Sequence, residues 1–194
     1  MGYRLLIDPL LASTRKNIAA LINPDVEILD LGCGTGELVF ELSHKVKKAV
    51  GLDIDENMIK YAQLKKERLA LENIEFINKD INDRSILTKN KFDFIVLSMF
   101  LHQLKKKEAD EIISLIKNMT KNIIFADYMS PLPKTIAGKG AKIIERIAGA
   151  EHSKNFRDYQ HLGGLSYYLK FHQLNPVFKN ITGLGLIKIV NCSL

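Results

Sequence analysis

The sequence predicts an α/β protein with a doubly wound, mostly parallel sheet of seven strands, closed by a C-terminal antiparallel hairpin. Three observations carry this. Five short apolar runs, Val26–Leu31, Ala49–Ile54, Ile74–Ile77, Phe92–Ser98 and Asn122–Ala126, have the length of strands buried on both faces. The segments between them switch to a helical period, and alternation of the two implies βαβ units with right-handed crossovers. Val177–Ile181 and Leu186–Asn191, separated by Thr182-Gly183-Leu184-Gly185, read as an antiparallel pair.

Taken in order, the chain opens with an N-terminal helical arm, residues 1–24. In it Leu10–Ile22 reads as a helix with Ile18, Leu21 and Ile22 on its apolar side. After the first strand, Leu38, Leu42 and Val46 recur four apart. After the second, Met58, Ala62 and Leu69 share a face, and Asp55 stands where an N-cap belongs. Ala109, Ile112, Ile113 and Ile116 follow the i, i+3, i+4, i+7 pattern, with Glu108, Asp110 and Glu111 in the first turn. Ser130–Leu174 follows Pro131 and Pro133 as a helical stretch, punctuated by Gly138, Gly140, Gly149, Gly163 and Gly164. Residues 130–175 are thus expected to form a helical cap, and 1–194 a single domain.

Composition excludes several classes. No apolar run approaches the roughly 18 residues that cross a bilayer. Met1–Asp8 does not read as a signal peptide. Two cysteines, Cys33 and Cys192, make neither a disulfide framework nor a metal cluster, so a reducing, cytoplasmic setting and no metal are expected. The net charge of +6 raises nucleic acid as a partner. The lysines come in short pieces, however: Lys45/Lys47/Lys48, Lys65/Lys66 and Lys105/Lys106/Lys107. No aromatic residues interleave them as a stacking platform requires, and solvated helix surface is the plainer reading.

The chemistry begins where the first strand runs into Gly32-Cys33-Gly34-Thr35-Gly36, with a helix after it. In an open α/β sheet the ligand crevice lies beyond the carboxyl ends of the strands, and glycines let the backbone approach the ligand closely. A dinucleotide fingerprint spaces its glycines G-x-G-x-x-G. Here the third glycine comes one residue early and Glu37 takes its place. An acid there repels a pyrophosphate and tolerates a ligand with an ammonium group and a sulfonium, such as S-adenosylmethionine. No Gly-Lys-Ser/Thr follows, which excludes a Walker loop. Asp53 ends the second strand, where a carboxylate accepts both hydroxyls of a ribose; the alternative, a helix cap, is better filled by Asp55. Asp80 follows the third strand, placed to meet an exocyclic amine or simply to pair Lys79.

The succession VEILDLGCGTGEL, AVGLDIDENMIKYA, IEFINKDIND and FDFIVLSMFLHQL resembles, in order and spacing, the motifs of class I S-adenosylmethionine-dependent methyltransferases. It is most similar to the small-molecule branch that includes the quinone-biosynthesis C-methyltransferases, and covers roughly residues 26–128. The resemblance implies a Rossmann-like methyltransferase fold, with S-adenosylhomocysteine as the product of the donor. It implies that Asp30 and the loop backbone of Gly32, Cys33, Gly34 and Gly36 hold the methionine part. Asp53 would take the ribose, Ile54 and Met58 flank the adenine, Asp80 accept from its amino group and Ile81 stack beside it. Ser98, ending the fourth strand, would face the methyl donor.

The same strand end excludes some relatives. Ser98-Met99-Phe100-Leu101 carries neither the Asn/Asp-Pro-Pro of nucleobase amino-methyltransferases nor the acid of metal-dependent catechol-type enzymes, and neither cysteine follows a proline. Methyl transfer is an in-line displacement that needs alignment and exclusion of water more than acid–base chemistry. Where a proton must move, His102 and Tyr128, beyond the fourth and fifth strands, are the candidate groups, packing being the other reading for each. Tyr3 and Arg15 in the arm, with His152, Phe156 and Tyr159 in the cap, are the candidate acceptor-binding residues, core packing again being the alternative. Gly163-Gly164 reads as a hinge or a plain helix break. The expected activity is methylation of a small molecule. The rivals are an RNA or protein methyltransferase and an S-adenosylmethionine-binding protein with little catalysis. Oligomeric state is left open.

Overall fold

The computed structural model describes residues 2–81 and 92–194, with side chains described from residue 11 onward. Seven strands form one sheet: β1 (Glu27–Leu31), β2 (Lys48–Asp53), β3 (Ile74–Asn78), β4 (Phe94–Ser98), β5 (Asn122–Tyr128), β6 (Asn175–Thr182) and β7 (Ile187–Ser193). Their order is β3-β2-β1-β4-β5-β7-β6. The first five are parallel, and β7 lies antiparallel between β5 and the edge strand β6. The sheet is therefore the expected one, hairpin included.

The central strands are apolar because no face is left to water. Ile28, Leu29, Ile95, Val96, Ile123 and Ile124 are fully buried, each contributing about 1.5–3 kcal/mol of transfer free energy. Chain order reverses between β1 and β4. Right-handed crossovers then put helices on opposite faces and open a crevice at the carboxyl ends of those two strands. Asp30 is paired there with Gly51 of β2 and Val96 of β4.

The helices are α1 (Gly2–Leu21), α2 (Glu37–Leu42), α3 (Glu56–Arg68), α4 (Lys106–Ile116), α5 (Ile136–Ile147), α6 (Ala150–Leu162) and α7 (Leu165–Phe171), with a 3-10 turn at Leu101–Gln103. Asp55 caps α3, its Oδ1 accepting from the N–H groups of Asn57 and Met58 at 2.9 and 3.3 Å. The buried stripe of α3 is Ile59 and Ala62 rather than the expected Met58–Ala62–Leu69, because the helix ends at Arg68 and leaves Leu69 exposed. The helical stretch divides into α5, α6 and α7. Gly149 and Gly163–Gly164 punctuate it, but Gly138 and Gly140 lie inside α5. Gly163, at φ 98°, caps α6, so the glycine pair is a helix break in the fold. Among the described residues no helix is long and apolar enough to cross a membrane.

Candidate functional site

The glycine loop is tied to the second strand. The N–H groups of Gly32 and Cys33 both donate to Leu52 O, at 2.8 and 3.1 Å. Gly32 has φ 72°, and a Cβ there would lie 2.2 Å from Cδ2 of Phe100. Gly36 has φ 77°, and its Cβ would meet the Phe76 ring at 2.3 Å. Both positions therefore need glycine on two counts, conformation and room. The helix after the loop is short, only the six residues of α2.

Asp53 closes the loop from β2. Its Oδ2 accepts from Gly34 N–H at 2.7 Å and its Oδ1 from Asp55 N–H at 2.9 Å. A carboxylate has about four acceptor sites, so each oxygen keeps a lone pair for a ligand hydroxyl. Asn78 Nδ2 donates to the carbonyls of Asp53 and Ile54 at 3.1 and 2.9 Å and holds the strand end in place. Asp30, one strand away, is 3% exposed, and its Oδ1 has no hydrogen-bond partner. Burial, and then the charge of Asp53, push the Asp30 carboxyl up from 3.8 to about 8. A buried, unpartnered carboxyl beside a glycine cradle fits a ligand that brings its own cation.

At the switch point a cavity of about 210 Å³ is lined by Gly32, Leu52, Asp53, Ile54, Lys79, Asp80, Ile81, Phe100, Leu104, Glu108 and Ile112. The fold thus brings five sequence-predicted residues to one wall: Gly32, Asp53, Ile54, Asp80 and Ile81. Ile54 is 69% exposed, an apolar side chain left open at the rim. Gly34 and Gly36 are buried in the loop, Cys33 and Ser98 are half-buried, and Met58 stands in the first turn of α3. Phe100, Leu104, Glu108 and Ile112, which no strand-end motif singles out, line the cavity from the two ends of the 3-10 turn and from α4. A wider hollow of about 680 Å³ between α4 and the end of α7 contains none of the strand-end residues.

Glu37 is not an unpaired acid at the mouth of the loop. Its Oε1 is held by Lys65 Nζ at 2.6 Å, and that ammonium also sits 4.3 Å from the Phe40 ring centroid. The acid's charge is met within the protein, so repulsion of a pyrophosphate is weaker than Glu37 alone suggests. The early third glycine is the stronger argument against a dinucleotide.

His102 and Tyr128 do not line the cavity. His102 is 2% exposed. Its Nδ1–H donates to Asp127 Oδ1 at 2.6 Å, and its backbone N–H to Asp127 Oδ2 at 3.2 Å. Tyr128 is the last residue of β5, and its hydroxyl donates to Glu145 Oε1 of α5 at 2.8 Å. His152 Nε2 lies against Glu145 Oε2, and His102 Nε2 is 3.8 Å from that same oxygen. Burial alone lowers the basicity of His102; Asp127, by charge and hydrogen bond, and Glu145 outweigh it and raise the imidazole pKa. Burial likewise opposes ionisation of Glu145, but its bonds from His152 and Tyr128 and the charge of His102 hold its pKa below the usual carboxylate range.

The remaining predicted acceptor residues are scattered. Phe156 and Tyr159 are buried in the core at 4% and 1% exposure. The Tyr159 hydroxyl donates to Tyr128 O at 3.0 Å and accepts from Leu165 N–H at 3.1 Å. Both side chains are spent on packing α6 against β5, so the core alternative is what the fold builds. Arg15 faces Glu41 of α2 at 3.7 Å. The side chain of Tyr3 lies outside the described residues.

Comparison with known proteins gives consistent results. A family described as a methyltransferase domain matches residues 22–164. The demethylmenaquinone methyltransferase of Lactococcus lactis subsp. lactis (strain IL1403) is 44% identical over 69 residues, covering 34% of this chain and 27% of that protein. A 23S rRNA (uracil(1939)-C(5))-methyltransferase of Aliivibrio salmonicida is 29% identical over 128 residues, 64% of this chain and 28% of its own length. The chain thus spans under a third of the length of either curated relative. The fold is similar to that of magnesium protoporphyrin IX methyltransferase from Synechocystis PCC 6803, solved with bound SAH, with a TM-score of 0.69 at 21% identity over 96% of this chain and 84% of that one.

Proposed function

The chain belongs to the methyltransferase domain family, and from that premise we propose that its strand-end cavity binds S-adenosylmethionine and that the methyl group passes to a small-molecule acceptor. The convergence of Gly32, Asp53, Ile54, Asp80 and Ile81 on one cavity carries this reading. When bound, the donor supplies an electrophilic methyl on a sulfonium.

The chain's own residues account for the rest. Asp53, oriented by Gly34 N–H, is free to accept ribose hydroxyls. Ile54 and Ile81 offer apolar surface to an adenine, and Asp80 an acceptor for its amine. Asp30 ionises opposite an ammonium, which relieves its unpartnered burial. Phe100, lying over Gly32, excludes water from the methionine end. The cap, residues 130–175, covers the acceptor side of a single catalytic domain, while His102 and Tyr128, buried and bonded to Asp127 and Glu145, take the packing role that was their alternative. With only two cysteines in the sequence, a reducing, cytoplasmic setting is part of the same proposal.

An RNA acceptor is the second reading, favoured by the +6 charge and the rRNA-modifying relative. Pairing of the lysines supports the small molecule instead. Lys47, Lys48, Lys65, Lys105 and Lys106 each lie within 2.6–2.9 Å of a carboxylate, against Glu27, Glu75, Glu37, Glu151 and Asp110. They are thereby drawn away from a common phosphate-binding stripe.

Calorimetry with S-adenosylmethionine, S-adenosylhomocysteine and NAD tests the donor; binding of NAD alone sinks it. Labelled donor incubated with a metabolite pool, and separately with RNA, tests the acceptor. Label in a small molecule is expected. Label in RNA, with binding that falls steeply as salt rises, would replace that reading with the second.

A further inference from the structure

We propose that His102, Glu145 and His152 form a binding site for one divalent transition-metal ion, zinc by its donor set. The three residues come from the 3-10 turn, α5 and α6, and only the tertiary fold joins them. One ring nitrogen from each histidine and one carboxylate oxygen lie within 4.8 Å of one another. Zinc bonds to such atoms at about 2.0–2.2 Å, so an ion among them needs only small side-chain rotations. It would take the place of the direct contact between His152 Nε2 and Glu145 Oε2.

The surroundings are those of a ligand set. Asp127 engages Nδ1 of His102 at 2.6 Å, which directs Nε2 toward Glu145. A carboxylate on the far nitrogen is what fixes the tautomer and raises the basicity of a metal-bound histidine. Tyr128 does the same for Glu145: its hydroxyl takes Oε1 at 2.8 Å and leaves Oε2 facing both imidazoles. Asp127 and Glu145 are 1% and 2% exposed, each already held by an imidazole, and a dication between the two rings would take over that charge compensation. The rings of Tyr128 and Phe156, 4.9 and 6.1 Å from that of His102, keep the site dry. The His152 side chain is 22% exposed and provides the way in. Two nitrogens and one oxygen leave a fourth position open, as in zinc sites that bind a further ligand. None of the three ligands lines the strand-end cavity, so the ion would occupy a site of its own between the 3-10 turn, α5 and α6.

The 194-residue chain, stripped with a chelator and dialysed, is titrated with Zn²⁺ by calorimetry and with Co²⁺ by visible spectroscopy. One ion per chain and tetrahedral Co²⁺ bands are expected. Glu145→Gln and His152→Ala should each weaken Zn²⁺ binding at least about tenfold, and Asp127→Asn by about 10–100-fold, in variants whose circular dichroism matches the parent. No stoichiometric uptake by the unaltered protein, or Co²⁺ bands unchanged in His152→Ala, overturns the site. Its failure and that of the donor reading are separable: S-adenosylmethionine binding by the stripped protein leaves the donor site standing when the metal is refused.

Discussion

The backbone N–H of Gly34 donates to Asp53 Oδ2 at 2.7 Å, so the acid that ends β2 also holds the glycine loop that follows β1. Asp53→Ala therefore removes a ligand acceptor and a loop anchor together. Binding of S-adenosylmethionine should weaken by about 1–3 kcal/mol, the scale of hydrogen bonds to a charged group. Calorimetry checks it, and an unchanged affinity contradicts the ribose role.

Asp30 makes stability depend on pH in an unusual direction. The unfolded chain ionises this carboxyl near 3.8, whereas the folded chain keeps its proton until about 8. Between those values the folded state binds more protons, so stability falls as pH rises through that window. Thermal melts of the ligand-free protein should show this decline, and Asp30→Asn should reduce it, most clearly below pH 6.5 where His102 does not contribute. Donor binding near pH 7 should release a proton, read as a dependence of the calorimetric heat on the buffer's ionisation enthalpy.

Gly32→Ala places a methyl 2.2 Å from the Phe100 ring at φ 72°. Strain at such a backbone angle costs about 1–3 kcal/mol before the clash is counted. The variant should melt lower and lose donor binding. Adding Phe100→Ala should recover part of the stability but not the binding, since the ring that covers the loop is gone.

Glu37→Gln should change little. The residue is paired with Lys65 at 2.6 Å on a partly exposed surface, where such pairs contribute about 0–1 kcal/mol. Donor affinity should move by less than about threefold and NAD should still not bind. Acquired NAD affinity would show that charge, rather than glycine spacing, excludes the dinucleotide.

Tyr159→Phe leaves the Tyr128 carbonyl and the Leu165 N–H without the hydroxyl that joins them. An unsatisfied buried group costs about 1–3 kcal/mol, so the melting temperature should drop while donor affinity is kept. Loss of donor binding at full stability would assign this ring to the site.

The sequence by itself determined the sheet and the strand-end residues that meet at the cavity. Strand period, glycine spacing and strand-end acids are local: Val26–Leu31, Gly32–Gly36, Asp53 and Asp80 are each placed by a few residues, because a strand's carboxyl end faces the crevice wherever the parallel sheet forms. Even there, the charge of Glu37 is set by tertiary structure, since Lys65 reaches it from another helix. Tertiary structure decided the rest. Phe100 and Leu104 reach the cavity from the two ends of the 3-10 turn, and Tyr159 is a core pin because its hydroxyl joins Tyr128 of β5 to Leu165 of α7. His102, Asp127, Glu145 and His152 come from four elements, and no spacing along the chain announces them. A hydrogen bond or a ligand set needs atoms within a few ångströms, and for residues distant in sequence only the packing of helix on sheet brings them there.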